Sequence, residues 1–280
     1  MSPTVRKRVA KTPPTVIFQQ ASNGQVVEVT DHQGLRCLSF GSHLKQSCML
    51  LSDPSFLFLP YSRHMVSALL FLPHLPRRVL VIGLGGGSLI KFMLRHIPGV
   101  HVDVVEYDPQ VVEVAERFFA LPTEHAGLQL YVGDGEHFFQ DRGKQQPPYD
   151  LIMIDAFDNT GAISSLYKTP FLTQCRAALS RQGVLAANLS RNNKPHHQMA
   201  EENWLEVFPH RGWQVPVANS RNIIFIATPH KKATAQNRPK ARRAEALSSA
   251  CPLRFEHLLK RIEPMQGTLW QRMAHGLARP

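Results

Sequence analysis

Apolar and polar positions alternate in the first part of the chain, a pattern typical of β-strands. Two such runs, Gln25–Val29 and Leu35–Phe40, bracket a polar turn that contains glycine, which predicts a β-hairpin. Helical apolar spacing follows over Tyr61–Leu72 and stops at Pro73. We therefore expect a small β unit followed by a helix.

After Pro73 the pattern changes to apolar runs separated by segments with helical spacing. The runs predict five strands of a buried parallel sheet: Arg78–Ile82, His101–Glu106, Leu128–Val132, Asp150–Asp155 and Gly183–Asn188. The segments predict a helix up to Ile97 and further helices at Pro109–Phe119, Thr169–Leu179 and Gln198–Phe208. A closing antiparallel pair is predicted at Trp213–Ala218 and Asn222–Thr228. This order predicts a doubly wound, Rossmann-like α/β sheet, in which ligands bind beyond the carboxyl ends of the strands.

Composition and charge narrow the class of protein. With 280 residues, 43% of them hydrophobic, the chain can bury a sizeable core, and no apolar run approaches the roughly eighteen residues of a membrane helix. The net charge is +11, but four positive charges lie in residues 1–11 and a net five in residues 229–246. Because so little charge remains for the folded part, we expect basic tails rather than a nucleic-acid-binding face.

Cysteine and histidine positions give no sign of a metal site. Neither CxxC nor another metal-binding spacing connects the four cysteines, Cys37, Cys48, Cys175 and Cys251. They predict free thiols in a reducing cytoplasm, and the N-terminus lacks the apolar stretch of a secretory signal. The pair His196-His197 has no further ligand cluster beside it, so we expect no metal.

Three predicted strand ends carry residues suited to a nucleoside. The first is followed by the loop Gly83-Leu84-Gly85-Gly86-Gly87-Ser88, in which glycines let the backbone approach a ligand at the positive end of a helix. Glu106 ends the second strand, where a carboxylate can accept hydrogen bonds from a ribose diol. The third is followed by Gly133-Asp134-Gly135, a tight turn whose carboxylate suits an adenine amino group. Together they predict a nucleoside pocket.

Two further carboxylates follow the fourth predicted strand. Asp155 comes directly after apolar residues, so partial desolvation is expected to raise its pKa and make it a better proton acceptor. Asp158 lies on the loop, where it can hold a cationic group by charge-assisted hydrogen bonds. Alternatively, Asp155 caps the loop and Asp158 faces water.

Four segments together resemble the spermidine synthase (polyamine aminopropyltransferase) family: VLVIGLGGGSL, VDVVEYDPQVVEVAERFF, LQLYVGDGEHFF and YDLIMIDAFD. With the Leu166-Tyr167 stretch, the resemblance covers about residues 25–228. It implies a class I methyltransferase-like fold with a small N-terminal β domain. It also implies transfer of the aminopropyl group of decarboxylated S-adenosylmethionine to a polyamine such as putrescine, with release of 5'-methylthioadenosine. A homo-oligomer, either a dimer or a tetramer, is implied as well.

The resemblance implies roles for individual residues. Asp155 matches the acid that takes a proton from the attacking amine, and Asp158 matches the second acid of that loop, which helps to hold the polyamine. Glu106 matches the ribose-binding acid and Asp134 the acid near adenine. The other matched positions are Gln46, Gly83, Gly85, Gly86 and Gly135 on the cofactor side, and Tyr61 and His64 on the substrate side.

Two departures from the family pattern affect the amine half of the site. The family's glycine loop reads GGGDGG, and its Asp contacts the propylamine end of the cofactor, where this chain has Gly86. The family's D-S-S-D-P-x-G-P loop reads Asp155–Ala162 here, without either proline. Three alternatives therefore stay open: an S-adenosylmethionine-dependent methyltransferase, a catalytically inactive nucleoside-binding relative, and a nucleic-acid-binding protein that uses the basic tails.

The predicted organisation has five parts. They are a basic tail at 1–14, a small N-terminal β domain at 15–60, a nucleoside-binding α/β catalytic domain at 61–228, a basic linker at 229–250 and a C-terminal helical tail at 251–280.

Overall fold

The computed structural model describes residues 13–41, 44–141, 147–157, 161–230 and 233–265. The chain forms two sheets, a four-stranded antiparallel sheet from the N-terminal part and an eight-stranded mixed sheet flanked by helices. This arrangement confirms the predicted α/β class with a small N-terminal β unit. The division of the chain at residues 60 and 228 stays a prediction.

The small sheet is a meander of four strands, β1 (Thr15–Ser22), β2 (Gln25–His32), β3 (Leu35–Phe40) and β4 (Lys45–Leu50). The turn between β2 and β3 is the predicted hairpin turn, and its Gln33 and Gly34 both adopt positive φ. This conformation matches the twist of a two-residue hairpin. Alternate residues of β2 face the core, with Val27 and Val29 fully buried.

A disulfide joins Cys37 of β3 to Cys48 of β4, so the prediction of free thiols is wrong for this pair. The strand register places the two residues opposite each other, with their Cα atoms 4.1 Å apart. Such proximity is typical of a non-hydrogen-bonded antiparallel pair. The spacing of cysteines along a sequence does not reveal strand register, which is why the pairing was not expected. Cys175 and Cys251 are free and buried.

The large sheet contains β5 (Arg78–Ile82), β6 (His101–Glu106), β7 (Leu128–Val132), β8 (Tyr149–Ile154), β9 (Leu179–Ser190), β10 (Gly212–Pro216), β11 (Asn222–Ala227) and β12 (Glu263–Pro264). Their order in the sheet is β12-β10-β11-β9-β8-β5-β6-β7, with β5 to β9 parallel and β10 to β12 antiparallel to their neighbours. The chain moves outward from β5 to β7 and then returns to β8. The gap between the ends of β5 and β8 is thus a topological switch point, where α/β sheets bind ligands.

The helices are α1 (Pro60–Met65), α2 (Ser88–His96), α3 (Pro109–Phe118), α4 (Gly135–Asp141), α5 (Thr169–Ala178), α6 (Lys194–Val207), α7 (Ala241–Ala250) and α8 (Phe255–Leu259). Alternate residues of β5 face two separate cores, because successive side chains of a strand point to opposite faces. One core contains residues of α2, α3, α7 and α8, and the other contains residues of α4, α5 and α6. No helix in the described ranges is long and apolar enough to cross a membrane.

Several elements differ from the predicted ones. The helix predicted over Tyr61–Leu72 is α1 followed by a separate 3₁₀ helix at Val66–Phe71. Strand β9 begins at Leu179, four residues earlier than predicted, because its first part pairs with Tyr149 of β8. Helix α4 was not predicted, since its seven residues are too few to show a helical period.

The C-terminal part packs on the sheet instead of trailing away from it. The stretch predicted as a basic linker contains α7, whose Ala244 and Leu247 are buried in the first core. The Arg243 guanidinium of α7 donates to the carbonyl oxygens of Leu69 and His74, so part of the basic charge serves to dock this helix. The helix predicted over Leu269–Met273 lies outside the described residues.

Candidate active site

A cavity of about 560 Å³ opens at the carboxyl edge of the large sheet, at the switch point between β5 and β8. Strand β4 of the small sheet and helix α1 close one side of it, and the start of α6 lies on another side. Eight of the site residues expected from the sequence line this one cavity: Gln46, Tyr61, Gly83, Gly85, Glu106, Asp134, Gly135 and Asp155. The fold therefore brings most of the expected nucleoside and amine positions together.

The glycine loop after β5 has three positions where a Cβ would be closer than 3.0 Å to a neighbouring atom, Gly83, Gly86 and Gly87. Gly83 has a φ of +96°, and a Cβ there would collide with the backbone of Asp155 and Ala156 at the end of β8. A Cβ on Gly86 would lie 2.8 Å from both the ring of Phe119 and the hydroxyl of Ser47. The first glycine thus lets β5 and β8 end side by side, and the second lets the loop pack under the small sheet.

Glu106 ends β6 and is held by backbone amides. Its carboxylate accepts hydrogen bonds from the N–H of Leu84 at 2.8 Å and from the N–H of Asp108 at 3.0 Å. Burial raises the pKa of Glu106, and these amides lower it in part. Each oxygen accepts one of these bonds, and a carboxylate oxygen has a second lone pair that can face a ligand.

Asp134 lies between β7 and α4, close to the end of β6, where the N–H of Gly133 donates to the carbonyl oxygen of Glu106 at 2.8 Å. The Asp134 Oδ1 accepts a hydrogen bond from the N–H of Glu136 at 2.8 Å, so the carboxylate caps the first turn of α4. Gly135 follows it, and a Cβ there would approach Ile82 of β5 to 2.8 Å. The turn after β7 therefore holds the Asp134 carboxylate at the cavity wall.

Asp155 follows β8, and its carboxyl has a raised pKa. Burial raises its pKa to about 6, while the hydrogen bond from Asn188 and the nearby Tyr61 hydroxyl act to lower it. The Asn188 carboxamide donates to Oδ1 of Asp155 at 2.9 Å. An acid with such a pKa is ionised at neutral pH and still accepts a proton more readily than an exposed carboxylate.

Tyr61 and Gln46 bring α1 and β4 to the same wall. The Tyr61 hydroxyl donates to the backbone carbonyl oxygen of Gln46 at 2.9 Å, which ties the helix to the small sheet. Burial, together with the negative charge of Asp155, raises the pKa of Tyr61 well above its usual value. Tyr61 therefore stays protonated beside Asp155.

Two of the expected site residues, His64 and Gly86, are not at the cavity wall. His64 is buried, and its ring turns back along α1 so that Nδ1 lies 2.7 Å from the carbonyl oxygen of Pro60. Gly86 is covered by Phe119 and Ser47. Asp158 lies outside the described residues.

The sequence interpretation missed two amides at this site. Asn188 and Asn222 both line the cavity, and Asn188 is 1% exposed. The available signal was an amide at the carboxyl end of the apolar run Val184–Leu189. A polar side chain there needs a hydrogen-bond partner, and the neighbouring strand end supplies one in Asp155.

Within the described part of the chain, no group of three His, Cys, Asp or Glu side chains is arranged to hold a metal ion. The rings of His196 and His197 pack against Tyr167 and Phe225 respectively. His196 also lines the cavity at the start of α6.

Comparison with known proteins identifies the family. Residues 59–230 match a family model described as the spermine/spermidine synthase domain. The polyamine aminopropyltransferase of Neisseria meningitidis is 33% identical over 234 residues, which cover 83% of this chain and 87% of the relative. That of Chromobacterium violaceum is 33% identical over 238 residues, which cover 85% and 89%.

Solved structures show the same fold. A spermidine synthase in complex with the transition-state analogue AdoDATO superposes with a TM-score of 0.72 at 17% identity, over 94% of this chain and 89% of that one. Human methyltransferase-like protein 13 in complex with SAH superposes with a TM-score of 0.59 at 24% identity, over 78% of this chain and 100% of that one. The names of the sequence relatives favour aminopropyl transfer over methyl transfer, as predicted. From the match over residues 59–230 and from these relatives, the chain belongs to the spermine/spermidine synthase family of transferases.

Proposed function

We propose that the protein transfers the aminopropyl group of decarboxylated S-adenosylmethionine to a polyamine such as putrescine and releases 5'-methylthioadenosine. One observation carries the proposal. Asp155, with its pKa raised to about 6, lines the same cavity as Glu106 and Asp134. A proton acceptor thus lies in one cavity with two carboxylates suited to a nucleoside.

The nucleoside half of the cavity suits this co-substrate. Glu106 is proposed to accept hydrogen bonds from the ribose hydroxyls with the lone pairs that Leu84 and Asp108 leave to it. Asp134 is proposed to accept from the adenine amino group. Gly83 and Gly135 let the loops lie close to the sheet, where a Cβ would meet the backbone of Asp155 or the side chain of Ile82. The negative charges of this wall also favour a sulfonium cation over a neutral nucleoside.

The proposed reaction is a displacement at carbon. The acceptor arrives as an ammonium, because its pKa resembles that of lysine, near 10. Asp155 takes one proton from it, and the nitrogen lone pair then attacks the propyl carbon bonded to the sulfonium sulfur. The carbon–sulfur bond breaks, its electron pair stays on sulfur, and a neutral thioether and a secondary ammonium result. Alignment of nitrogen and carbon would supply much of the rate enhancement.

Tyr61 is proposed to line the acceptor's path, since it is at the cavity wall beside Asp155, and Gln46, to which its hydroxyl donates, is proposed to face the co-substrate. The resemblance implies that Asp158 also helps to hold the acceptor. No such role is proposed for His64, whose ring is turned back to Pro60. A homo-oligomer, dimer or tetramer, remains a prediction from the sequence. A cytoplasmic location was predicted from free thiols, and the disulfide between Cys37 and Cys48 removes part of that basis. Light scattering of the purified protein would test the oligomeric state.

Mass spectrometry of the products tests the reaction. The protein is incubated with putrescine, spermidine or cadaverine, and with either decarboxylated or ordinary S-adenosylmethionine. We expect methylthioadenosine and an aminopropylated amine only with the decarboxylated co-substrate. S-adenosylhomocysteine and a methylated amine, only with the ordinary one, would instead identify a methyltransferase. If no product forms in any of the reactions, the protein is a nucleoside-binding relative without catalytic activity.

Two variants separate the proposed roles of the acids. Asp155→Asn should abolish most turnover and leave methylthioadenosine affinity within a few fold, because the nucleoside contacts remain. Asp134→Asn should weaken nucleoside binding and affect kcat less, because it leaves the proton acceptor in place. Comparable loss of binding and turnover in both variants would contradict this assignment.

A further inference from the structure

A continuous chain of side-chain hydrogen bonds runs from Asp155 to the turn before β11. The Asn188 Nδ2 donates to Asp155 Oδ1 at 2.9 Å, and the Asn222 Nδ2 donates to Asn188 Oδ1 at 2.9 Å. The Ser220 hydroxyl then donates to Asn222 Oδ1 at 2.8 Å. The Asp155 carboxylate is thus linked through three hydrogen bonds to Ser220, which lies in the connection between β10 and β11.

The carboxylate fixes the direction of every bond in this chain. An ionised Asp accepts hydrogen bonds and donates none, so Asn188 must present its NH₂ group to Asp155. Its carbonyl oxygen then faces Asn222, which must present its own NH₂ group, and Ser220 must donate in turn. An Asn carboxamide has two orientations that differ little in shape. Asn222, by donating to the carbonyl oxygen of Asn188, therefore stabilises the orientation in which the NH₂ group of Asn188 faces Asp155.

The backbone around the two amides is held firmly. Asn188 is 1% exposed, and its backbone carbonyl oxygen accepts a hydrogen bond from the Tyr167 hydroxyl at 2.7 Å. β9 pairs with β11 so that Asn188 lies opposite Ile224 and Asn222 lies opposite Ser190. The Ser220 Oγ also accepts from the backbone N–H of Asn222 at 3.1 Å. Because these bonds hold the backbone in place, the relevant variable is the orientation of the Asn188 carboxamide.

We propose that Asn222 is a positioning residue, which acts through Asn188 to hold the Asp155 carboxylate in the orientation that accepts the proton. The assignment of a proton-accepting role to Asp155 rests on the proposed function, whereas the hydrogen-bonded chain itself does not. When Asp155 takes the proton on a lone pair that faces the cavity, the oxygen bonded to Asn188 still accepts, so the chain keeps its direction throughout the reaction.

The isosteric variant Asn222→Asp should reverse the chain. A carboxylate at 222 has no proton to donate and competes with ionised Asp155 for the NH₂ group of Asn188. When Asn188 turns that group towards position 222, its carbonyl oxygen faces Asp155 and accepts a hydrogen bond from the protonated form. Asp155 then loses a donor that lowers its pKa and gains a second negative charge nearby, and both changes raise that pKa. The described titratable groups that face Asp155 from packed elements, Tyr61 and Tyr167, are unchanged in the variant.

The experiment measures the pKa of Asp155 directly. Protein labelled with ¹³C at aspartate carboxyls is titrated from pH 4 to 8, and Asp155→Asn assigns the signal. We expect Asn222→Asp to raise the pKa of Asp155 by about one unit or more and Asn222→Ala to raise it less. Asn203→Asp is the matched control, since Asn203 is also partly buried but donates to the backbone carbonyl of Tyr167. We expect Asn203→Asp to leave the pKa of Asp155 unchanged.

Kinetics of the same variants distinguish this inference from the proposed function. In Asn222→Asp the acid limb of kcat/KM should move up with the pKa, so the loss of activity should be about twofold at pH 7 and about tenfold at pH 5. An Asp155 pKa that is equal in wild type, Asn222→Asp and Asn222→Ala would overturn the positioning role. A shifted pKa in a protein that transfers no aminopropyl group would support the hydrogen-bonded chain and overturn the proposed reaction instead.

Discussion

The ring of Phe119 lies 2.8 Å from the point where a Cβ atom on Gly86 would be, so the glycine loop and the end of α3 are in close contact. The Phe119 carbonyl oxygen also accepts a hydrogen bond from the ammonium of Lys91, on the helix that follows the loop. Ser47 of β4 closes the same space from the small sheet. The position at which the family has an acid is therefore filled by neighbours in this chain.

Introducing the family acid should harm this protein. Gly86→Asp places a carboxylate against Phe119 and Ser47, and overpacking of this kind costs about 1–3 kcal/mol. We expect a lower Tm and lower turnover with decarboxylated S-adenosylmethionine, and Gly86→Ala should show part of the same loss. Gly133→Ala is the control, because a Cβ there meets nothing within 4 Å. A gain in activity in Gly86→Asp would show that Phe119 can move aside.

Lys91 is buried without a carboxylate partner among the contacts of its ammonium, Phe119 and Met49. Burial lowers its pKa from 10.5 to about 7. Between these values the unfolded chain binds more protons than the folded protein, so stability rises as the pH increases from 7 to 10. Lys91→Met should remove this rise and increase the Tm at pH 7 by a few degrees. Thermal denaturation of both proteins across that range, with the exposed Lys260→Met as control, checks the effect.

Local sequence patterns were enough to predict most residues of the cavity wall. The other features depend on contacts between residues that are distant in the sequence or on strand register. Glu106, Asp134 and Asp155 could be predicted because each ends or follows an apolar run, and parallel strands bring their carboxyl ends together. The pairing of Cys37 with Cys48 depends on strand register, and the crowding of Gly86 depends on a residue 33 positions away. Neither contact can be predicted from the spacing of residues along the sequence.

The amide pair shows the same limit. An Asn at residue 188 was visible as a polar residue in an apolar run, but its link to Asn222 needs the antiparallel pairing of β9 with β11.

His64 shows the opposite error, because it was expected at the site and does not line the cavity. It follows Tyr61 by three residues on α1, so a shared face was a reasonable expectation, but its ring bonds to the carbonyl oxygen of Pro60. The side-chain torsion angles of His64 determine where its ring lies, and helical spacing cannot predict those angles.

The disulfide between Cys37 and Cys48 should stabilise the small sheet. It closes a loop with a sequence separation of 11, for which the chain-entropy model gives about 2–3 kcal/mol. Thiol titration of the denatured, unreduced protein should find two free thiols, those of Cys175 and Cys251. A reductant should lower the Tm of the wild type and have no effect on the double variant Cys37→Ser, Cys48→Ser. Four free thiols in oxidised protein would contradict the pairing.

Asp155 should reduce the stability of the protein at the pH at which it works. Burial raises its pKa from 3.8 to about 6, so between these values the folded protein binds the additional proton and stability falls as the pH rises. Asp155→Asn removes the buried charge while Asn188 can still donate to the new carboxamide oxygen. We expect the variant to be more stable than wild type by about 1–3 kcal/mol at pH 7.5, with no advantage below about pH 4.

Asp150→Asn is a contrasting control, because Asp150 accepts hydrogen bonds from two backbone N–H groups and from Ser180. Loss of this carboxylate should lower the stability of the protein. Urea denaturation at the two pH values decides the matter, since a variant that is less stable than wild type at pH 7.5 would show that the Asp155 charge is compensated in the fold.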